Sequence, residues 1–559
     1  MVLRDRSLGI LVGITIYGLI SCCSFAGLLS PFVAHAANFN PTTANRSAYT
    51  YPQKRDLPWK APEKRLPRVQ LYPPPAETDE EKALCLSRRE EVKKAFLHSW
   101  AAWQKHFPNS GDPFGWEPGT TYEIDVLDTL WIMGLEHDWE RIVSGLKTKS
   151  LKETRLNRGF NVYEGNVRIV GSLLANYEMT GNNPQWRVLW DRALELTRWY
   201  HGAFDTHNGI PMIVWDKKWY DAAPMGMQWP NSWTTLNQLA GFALEFAKLT
   251  ELTADPWYWE IVLRNYDIFN VRAGSPRYDH HLPNTFKSAP LLKWDGKHYG
   301  LGRDGNEFYA HLPKLYALMG GANEDLKDHW KRLKLQFEDL YLFRVPNLDD
   351  VEMLIVGTVE RDDNVKKFHK HLSREQCSAG ATMGLLGKVF GSKQELGWGP
   401  QITEGCLYAA ERTPTNITPQ ECILDQVSVF TMKKDDPNYT GIIEVHDKGY
   451  YLGSETFESL FYMWRITGDR KWQNKAWNLF RHITDLTKTE WGYQGIKDVF
   501  DEKGGGHVDQ MRFEVWMGRT LKYAYLIFEE WDVLSLDQWV FNARAHPLRR
   551  MDAEREFDN

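Results

Sequence analysis

The chain has 559 residues, enough for one large domain or several small ones, and a net charge of -6 from 67 Lys+Arg and 73 Asp+Glu. That balance, with no basic block, gives no electrostatic case for a nucleic-acid partner. The 25 Trp, 24 Tyr and 26 Phe suit core packing and equally the apolar faces of sugar rings.

After Arg4 and Arg6, residues 8–33 carry no charge. Ala34-His35-Ala36 fits a signal-peptidase site, so a cleaved secretory signal is one reading of residues 1–36. The apolar run exceeds an ordinary signal core and can span a bilayer, which favours an uncleaved type II signal anchor. Either way the body faces the lumen of the ER or Golgi, or, if released, the outside of the cell. Sequons at Asn45, Asn416 and Asn438 agree. Cys22 and Cys23 belong to the apolar run, leaving Cys85, Cys377, Cys406 and Cys422 in an oxidising compartment with three possible two-bridge pairings.

Residues 37–80 are Pro-rich, polar and unperiodic, an extended stem rather than a packed element. The body spans 81–550, followed by a short tail, 551–559. It opens on an amphipathic helix marked by Val92, Ala95, Phe96, Trp100, Trp103 and Phe107. Apolar helices then close on short turns about every 70 residues, each followed by a more polar helix. The closings fall at Thr180, Thr253, Met319, Phe390 and Thr467, with weaker members at Met133 and Phe528. Seven such units predict an all-α toroid of inner and outer helices around a central cavity, the alternative being an open solenoid. Strand signals are scarce; WDKKW (215–219) and GIIEVHDKGYY (441–451) are the best short hairpin candidates.

Two helix starts carry candidate chemistry. From Gly159 to Gly181 a loop becomes a helix near Glu164, with Glu164, Arg168, Gly171, Ser172 and Ala175 on one face. This reads either as a surface i,i+4 ion pair or as a cavity wall with Glu164 as a catalytic acid held by Arg168. Glu455 and Glu458 open the helix running to Thr467, where acidic residues also suit the helix dipole. Acetal hydrolysis needs one protonated carboxyl and one ionised carboxylate.

IDVLDTLWIMGL (124–135), AFDTHNGIP (203–211), EFAKLTELTADP (245–256), CLYAAERTPTNITP (406–419), FESLFYMWRITGD (457–469), TLKYAYLIF (520–528) and VFNARAHPL (540–548) occur in order. Over residues 85–550 the body resembles the class I α-1,2-mannosidases, glycoside hydrolase family 47. The resemblance implies a single (α/α)7 barrel that removes α-1,2-linked mannose from high-mannose N-glycans with inversion, using calcium at the barrel base. It implies Glu164 as general acid with Arg168 beside it, Glu455 as general base, Glu458 in the same sugar site, and a Cys377–Cys406 disulfide. Cys85 and Cys422 are then a second bridge or free thiols.

The chain departs from that pattern at several positions. Asn306 stands where the family has a catalytic Asp, with Asp304 and Glu307 close by as replacements, Asp304 being the one assigned. Gln238 stands for a sugar-site Glu, and Gly453-Ser454 for the Arg-Pro before the base. Ala543 stands for the calcium-ligating Thr and Arg544 for a Glu, which predicts weakened or absent calcium binding. Two functions follow: an α-mannosidase, or a glycan-binding protein on the same scaffold without turnover, acting in glycoprotein processing or quality control.

Overall fold

The computed structural model describes residues 65–107, 120–152, 159–206, 208–222, 228–273, 281–289, 292–294, 296–345, 353–362, 365–425, 441–554 and 557. The N-terminal apolar run, most of the stem, Asn45 and Asn438 lie outside them.

The inner helices end where the turn signals put them. Leu127–Ile132 stops at Met133, Gly171–Met179 at Thr180, Ala243–Thr253 at Ala254, and Asn306–Leu318 at Met319. Ala379–Val389 stops at Phe390, Glu455–Thr467 at Gly468, and Leu521–Ile527 at Phe528. Gly468 and Gly181 take the left-handed conformation that ends a helix without steric penalty. These helices are buried on nearly every side, and the charged residues they carry, Glu245, Lys248 and Lys522 among them, are buried with hydrogen-bond partners. Each touches the next, Ala243–Thr253 meeting the one before it through the opening segment Gly165–Val170, and the last, through its opening turn Trp516–Thr520, returns to Leu127–Ile132. The ring is closed, which excludes the solenoid and gives the (α/α)7 barrel.

The outer helices are amphipathic. Asp79–His106 starts on a capping box between Thr78 and Glu81 and packs on Leu521–Ile527, so the first helix is the outer partner of the last inner one. Its expected apolar residues from Val92 to Trp103 are buried.

A hairpin, Trp539–Phe541 with Pro547–Arg549, plugs the ring. Its base meets helix C-termini: Glu178 accepts from the Arg549 N–H at 2.9 Å, and Lys248 donates to the Arg549 carbonyl. Its tip, 542–546, reaches the starts of the same helices. Asn542 Nδ2 donates to Val167 O (2.8 Å) and Glu245 Oε1 (2.7 Å), and lies where a Cβ on Gly171 would fall, 2.4 Å away. Gly171 is therefore the seat of the plug, whereas Ser172 beside it donates to Ile124 O at 2.5 Å. Gly171→Ala is expected to destabilise the fold by about 1–3 kcal/mol, the usual cost of overpacking a rigid contact. Urea unfolding checks this; an unchanged midpoint would contradict the seating role.

Four details differ from the sequence reading. WDKKW is not a hairpin: Val214–Trp215 pairs with Phe160–Asn161, and Lys217–Ala222 is helical. GIIEVHDKGYY supplies one strand, Ile442–Asp447, at the edge of a three-stranded sheet with Glu421–Leu424 and His371–Ser373. Residues 65–71 of the expected stem pack on the barrel, because buried Asp537 accepts from the Val69 N–H (2.5 Å) and Arg465 O from the Leu71 N–H (2.9 Å). In the expected tail, the Met551 N–H donates to Leu318 O at 2.9 Å and Asp552 is fully buried.

Cys377 and Cys406 form a disulfide joining the short helix Arg374–Ser378 to the outer helix Lys393–Glu411, whereas Cys85 and Cys422 are buried free thiols. Asn416 sits in a left-handed turn with Thr418 buried behind it, its hydroxyl donating to Cys406 O.

Candidate active site

The starts of six inner helices, or the turns leading into them, open onto one cavity of about 670 Å³. Tyr163 and Glu164, Gln238, the 304–307 turn, Arg374, Glu455 and Arg519 all line it. Polar residues at the heads of separate helices thus converge, and the N-terminal partial positive charge of each helix favours carboxylates there.

Glu164 lies on the last residue before a π-helical segment, Gly165–Val170. Such bulges re-aim side chains and recur at functional sites. Asn161 caps the turn by accepting from the Glu164 N–H at 3.0 Å. Glu164 Oε1 accepts from Arg544 Nη2 at 2.7 Å. Burial works to raise its pKa, but Arg544 and then Arg168 outweigh it and hold the carboxyl below its usual range.

Arg168 is not the surface partner of an i,i+4 pair. It is buried and donates from Nε to Asp125 Oδ2 at 2.7 Å. Asp125 also faces His546 Nε2 (3.3 Å), whose Nδ1 is 2.9 Å from Asp128, and Lys522 Nζ pairs with Asp128 at 2.6 Å. Burial opposes ionisation of Asp125, yet Arg168 and His546 bring its pKa down to about 2. The two acids of IDVLDTLWIMGL therefore belong to a buried charge network beneath the cavity. Two Asp residues at i,i+3 in an apolar helix were the available signal for it.

On the next wall, Asn306 heads its helix and accepts from Asn237 Nδ2 at 2.8 Å. Glu307 points into the cavity between Tyr163, whose hydroxyl donates to its Oε2, and Arg544, with Nη1 3.7 Å from Oε1. Burial pushes the Glu307 pKa up against the pull of Arg544. Asp304 also lines the cavity, and burial raises it with Arg303 opposing. Gln238 lines the wall while its Oε1 accepts from the Thr235 N–H (3.1 Å) in a capping box.

Opposite, Glu455 is 8 % exposed and accepts from Arg374 Nη1 at 3.0 Å. Burial raises its pKa, but Arg374 and then Arg519 hold it below the ordinary value. Arg374 comes from a separate short helix, Arg374–Ser378, and occupies space that any side chain at 453 would need: a Cβ on Gly453 would lie 1.7 Å from Nη1. Glu458 is absent from the cavity wall. One turn deeper, at 1.5 Å rise per residue, it pairs with Lys314 at 2.8 Å.

Residues 96–550 match the model of glycosyl hydrolase family 47. The chain belongs to that family. Among its relatives, it is 29% identical over 483 residues to "Mannosyl-oligosaccharide alpha-1,2-mannosidase IA" of Drosophila melanogaster, covering 82% of this chain and 67% of that one. It is 26% identical over 493 residues to the human "Endoplasmic reticulum mannosyl-oligosaccharide 1,2-alpha-mannosidase", covering 85% of this chain and 66% of that one. It thus spans about two thirds of these relatives' length. A solved α-1,2-mannosidase from Trichoderma reesei shares the fold with a TM-score of 0.72 at 24% identity, over 83% of this chain and 99% of that one.

Family 47 resemblance implies calcium near residue 543, and the residues present do not fit it. Calcium takes six to eight oxygen ligands and favours negative surroundings. Ala543 offers a methyl group, and Arg544 puts a guanidinium between Glu164 and Glu307. Among the described residues, no group of three or more His, Cys, Asp or Glu is placed to hold a metal.

Proposed function

We propose that this chain is a lumenal glycosidase that hydrolyses terminal α-1,2-linked mannose from high-mannose N-glycans by an inverting acid/base mechanism. The observation that carries the reading is one cavity, in a family 47 barrel, with Glu455 paired to Arg374 on one wall and Glu164 and Glu307 set around Arg544 on another. Glu455, kept ionised by Arg374, takes a proton from the water that attacks the anomeric carbon. As the bond to the leaving sugar breaks, a carboxyl on the Glu164–Arg544–Glu307 wall protonates the departing oxygen.

On that wall the guanidinium contact favours ionised Glu164, whereas burial favours protonated Glu307. In this reading the proton comes from Glu307, which sits beside Tyr163 and Arg544 and replaces the carboxyl missing at Asn306, while Glu164 fixes Arg544. Glu307, buried against Tyr163 and Arg544, suits the task better than Asp304. The membrane anchor and sequon glycosylation complete the reading. The apolar run lies outside the described residues, and among these no helix is long and apolar enough to cross a membrane.

The test is mannose release from a high-mannose N-glycan by the purified lumenal chain. Glu307→Gln is expected to lower kcat about 10²–10⁴-fold, and Asp304→Asn far less. The reverse order would return the role to Asp304. Glycan binding without release by the parent protein would establish the binding-protein reading instead.

A further inference from the structure

We propose that Arg544 is the built-in cation of this cavity, a guanidinium that neutralises Glu164 beside Glu307 and makes the site independent of divalent metal. The inference concerns charge balance and folding and does not require turnover.

Three observations carry it. First, the Arg544 guanidinium bridges two carboxyl groups from different inner helices, Nη2 to Glu164 Oε1 at 2.7 Å and Nη1 to Glu307 Oε1 at 3.7 Å. Without that cation Glu164 would be a buried carboxylate with no counter-charge, beside a second carboxyl group from another helix. Second, the position is preorganised. Asn542 Oδ1 accepts the backbone N–H groups of Arg544 (2.8 Å) and His546 (2.9 Å). Ala545 takes the left-handed turn conformation, and its carbonyl accepts from Lys522 Nζ at 2.8 Å. His546 is locked onto Asp128. The plug tip is thus fixed from several sides, and Arg544 projects from it toward the cavity without having to be ordered by substrate. Third, the donor chemistry at the tip suits no metal: a methyl at 543 and a permanent positive charge at 544. Arg519, which acts on both Glu307 and Glu455, adds positive field from the next helix. A divalent cation entering here would meet guanidinium groups already serving the available carboxylates.

The experiment compares thermal unfolding and bound-metal content of the parent protein, after dialysis, with calcium and with chelator. An ion held at a hundredfold excess over its Kd would raise the melting temperature by several degrees. The expected result is sub-stoichiometric calcium and superimposable melting curves. Stoichiometric calcium, or a melting temperature that falls on chelation, would overturn the proposal. Arg544→Gln leaves Glu164 without its cation and is expected to melt lower than the parent, with calcium now raising its melting temperature. A variant as stable as the parent and indifferent to calcium would equally overturn it. Should Arg544→Gln not fold, Arg544→Lys keeps the charge and is expected to stay calcium-independent; a calcium response there would count against the proposal. Mannose release in the same two buffers tests the hydrolase reading separately. Absence of release in both would sink that reading, while the melting curves still decide this one.

Discussion

Replacing Glu455 with Gln is expected to lower kcat for mannose release about 10²–10⁴-fold, the range set by losing a positioned general base. The amide keeps the volume of the side chain and can still accept from Arg374, so the barrel should fold and the glycan should still bind. What disappears is the negative charge that receives the proton of the attacking water. In the parent, burial at 8 % exposure would raise this carboxyl, and Arg374 at 3.0 Å, helped by Arg519, reverses the sign. The Glu455 pKa in the folded protein is therefore below its ordinary value. Activity should persist as pH falls through the ordinary carboxylate range and be lost when pH passes below that depressed value. A Glu455→Gln protein with parental kcat would remove Glu455 from the mechanism.

The second large effect is expected at Gly453. A methyl at this position would lie 1.7 Å from Arg374 Nη1 and within 2.3 Å of the rest of the guanidinium, so Gly453→Ala must evict Arg374 from Glu455. Removing one partner of a buried ion pair costs about 3–5 kcal/mol, because the other charge is left without compensation. Here the side-chain exposures are 6% for Arg374 and 11% for Glu455, so solvent screening offers little relief. The Glu455 pKa then rises, and the acid limb of kcat moves to higher pH. Arg374→Ala should do the same, which separates loss of the cation from a local clash at 453. The double change Arg374→Ala with Gly453→Arg restores a guanidinium from the position where the resembled motif carries one. It should recover part of both the stability and the original pH profile. If the double variant is no better than the sum of the single ones, Arg374 does not stand in for that arginine.

Much of this site lay on the chain in readable form, and the reasons are local. The ends of the inner helices were legible because apolar runs stop at turn residues, Gly181 and Gly468 among them. Glu164 and Glu455 were legible because each heads such a helix within a recognisable segment. Glu307 was visible as one of two neighbours of Asn306, but choosing it over Asp304 needed Tyr163, which is 144 residues away. Glu458 was misplaced because spacing along a helix does not say which turn reaches the cavity floor and which lies below it.

Helix periodicity and turn residues by themselves pointed to an all-α body of seven helix pairs, and the resembled motifs singled out Glu164 and Glu455 as candidate site carboxyls. Backbone hydrogen bonding and apolar burial act mainly between near neighbours, so these features are written locally. Tertiary structure alone decided the charge state of the site. Arg544 reaches Glu164 across 380 residues and Arg374 reaches Glu455 across 81. Whether a buried carboxyl holds its proton depends on the distance to the nearest cation and on exclusion of water, and neither exists until the ring closes.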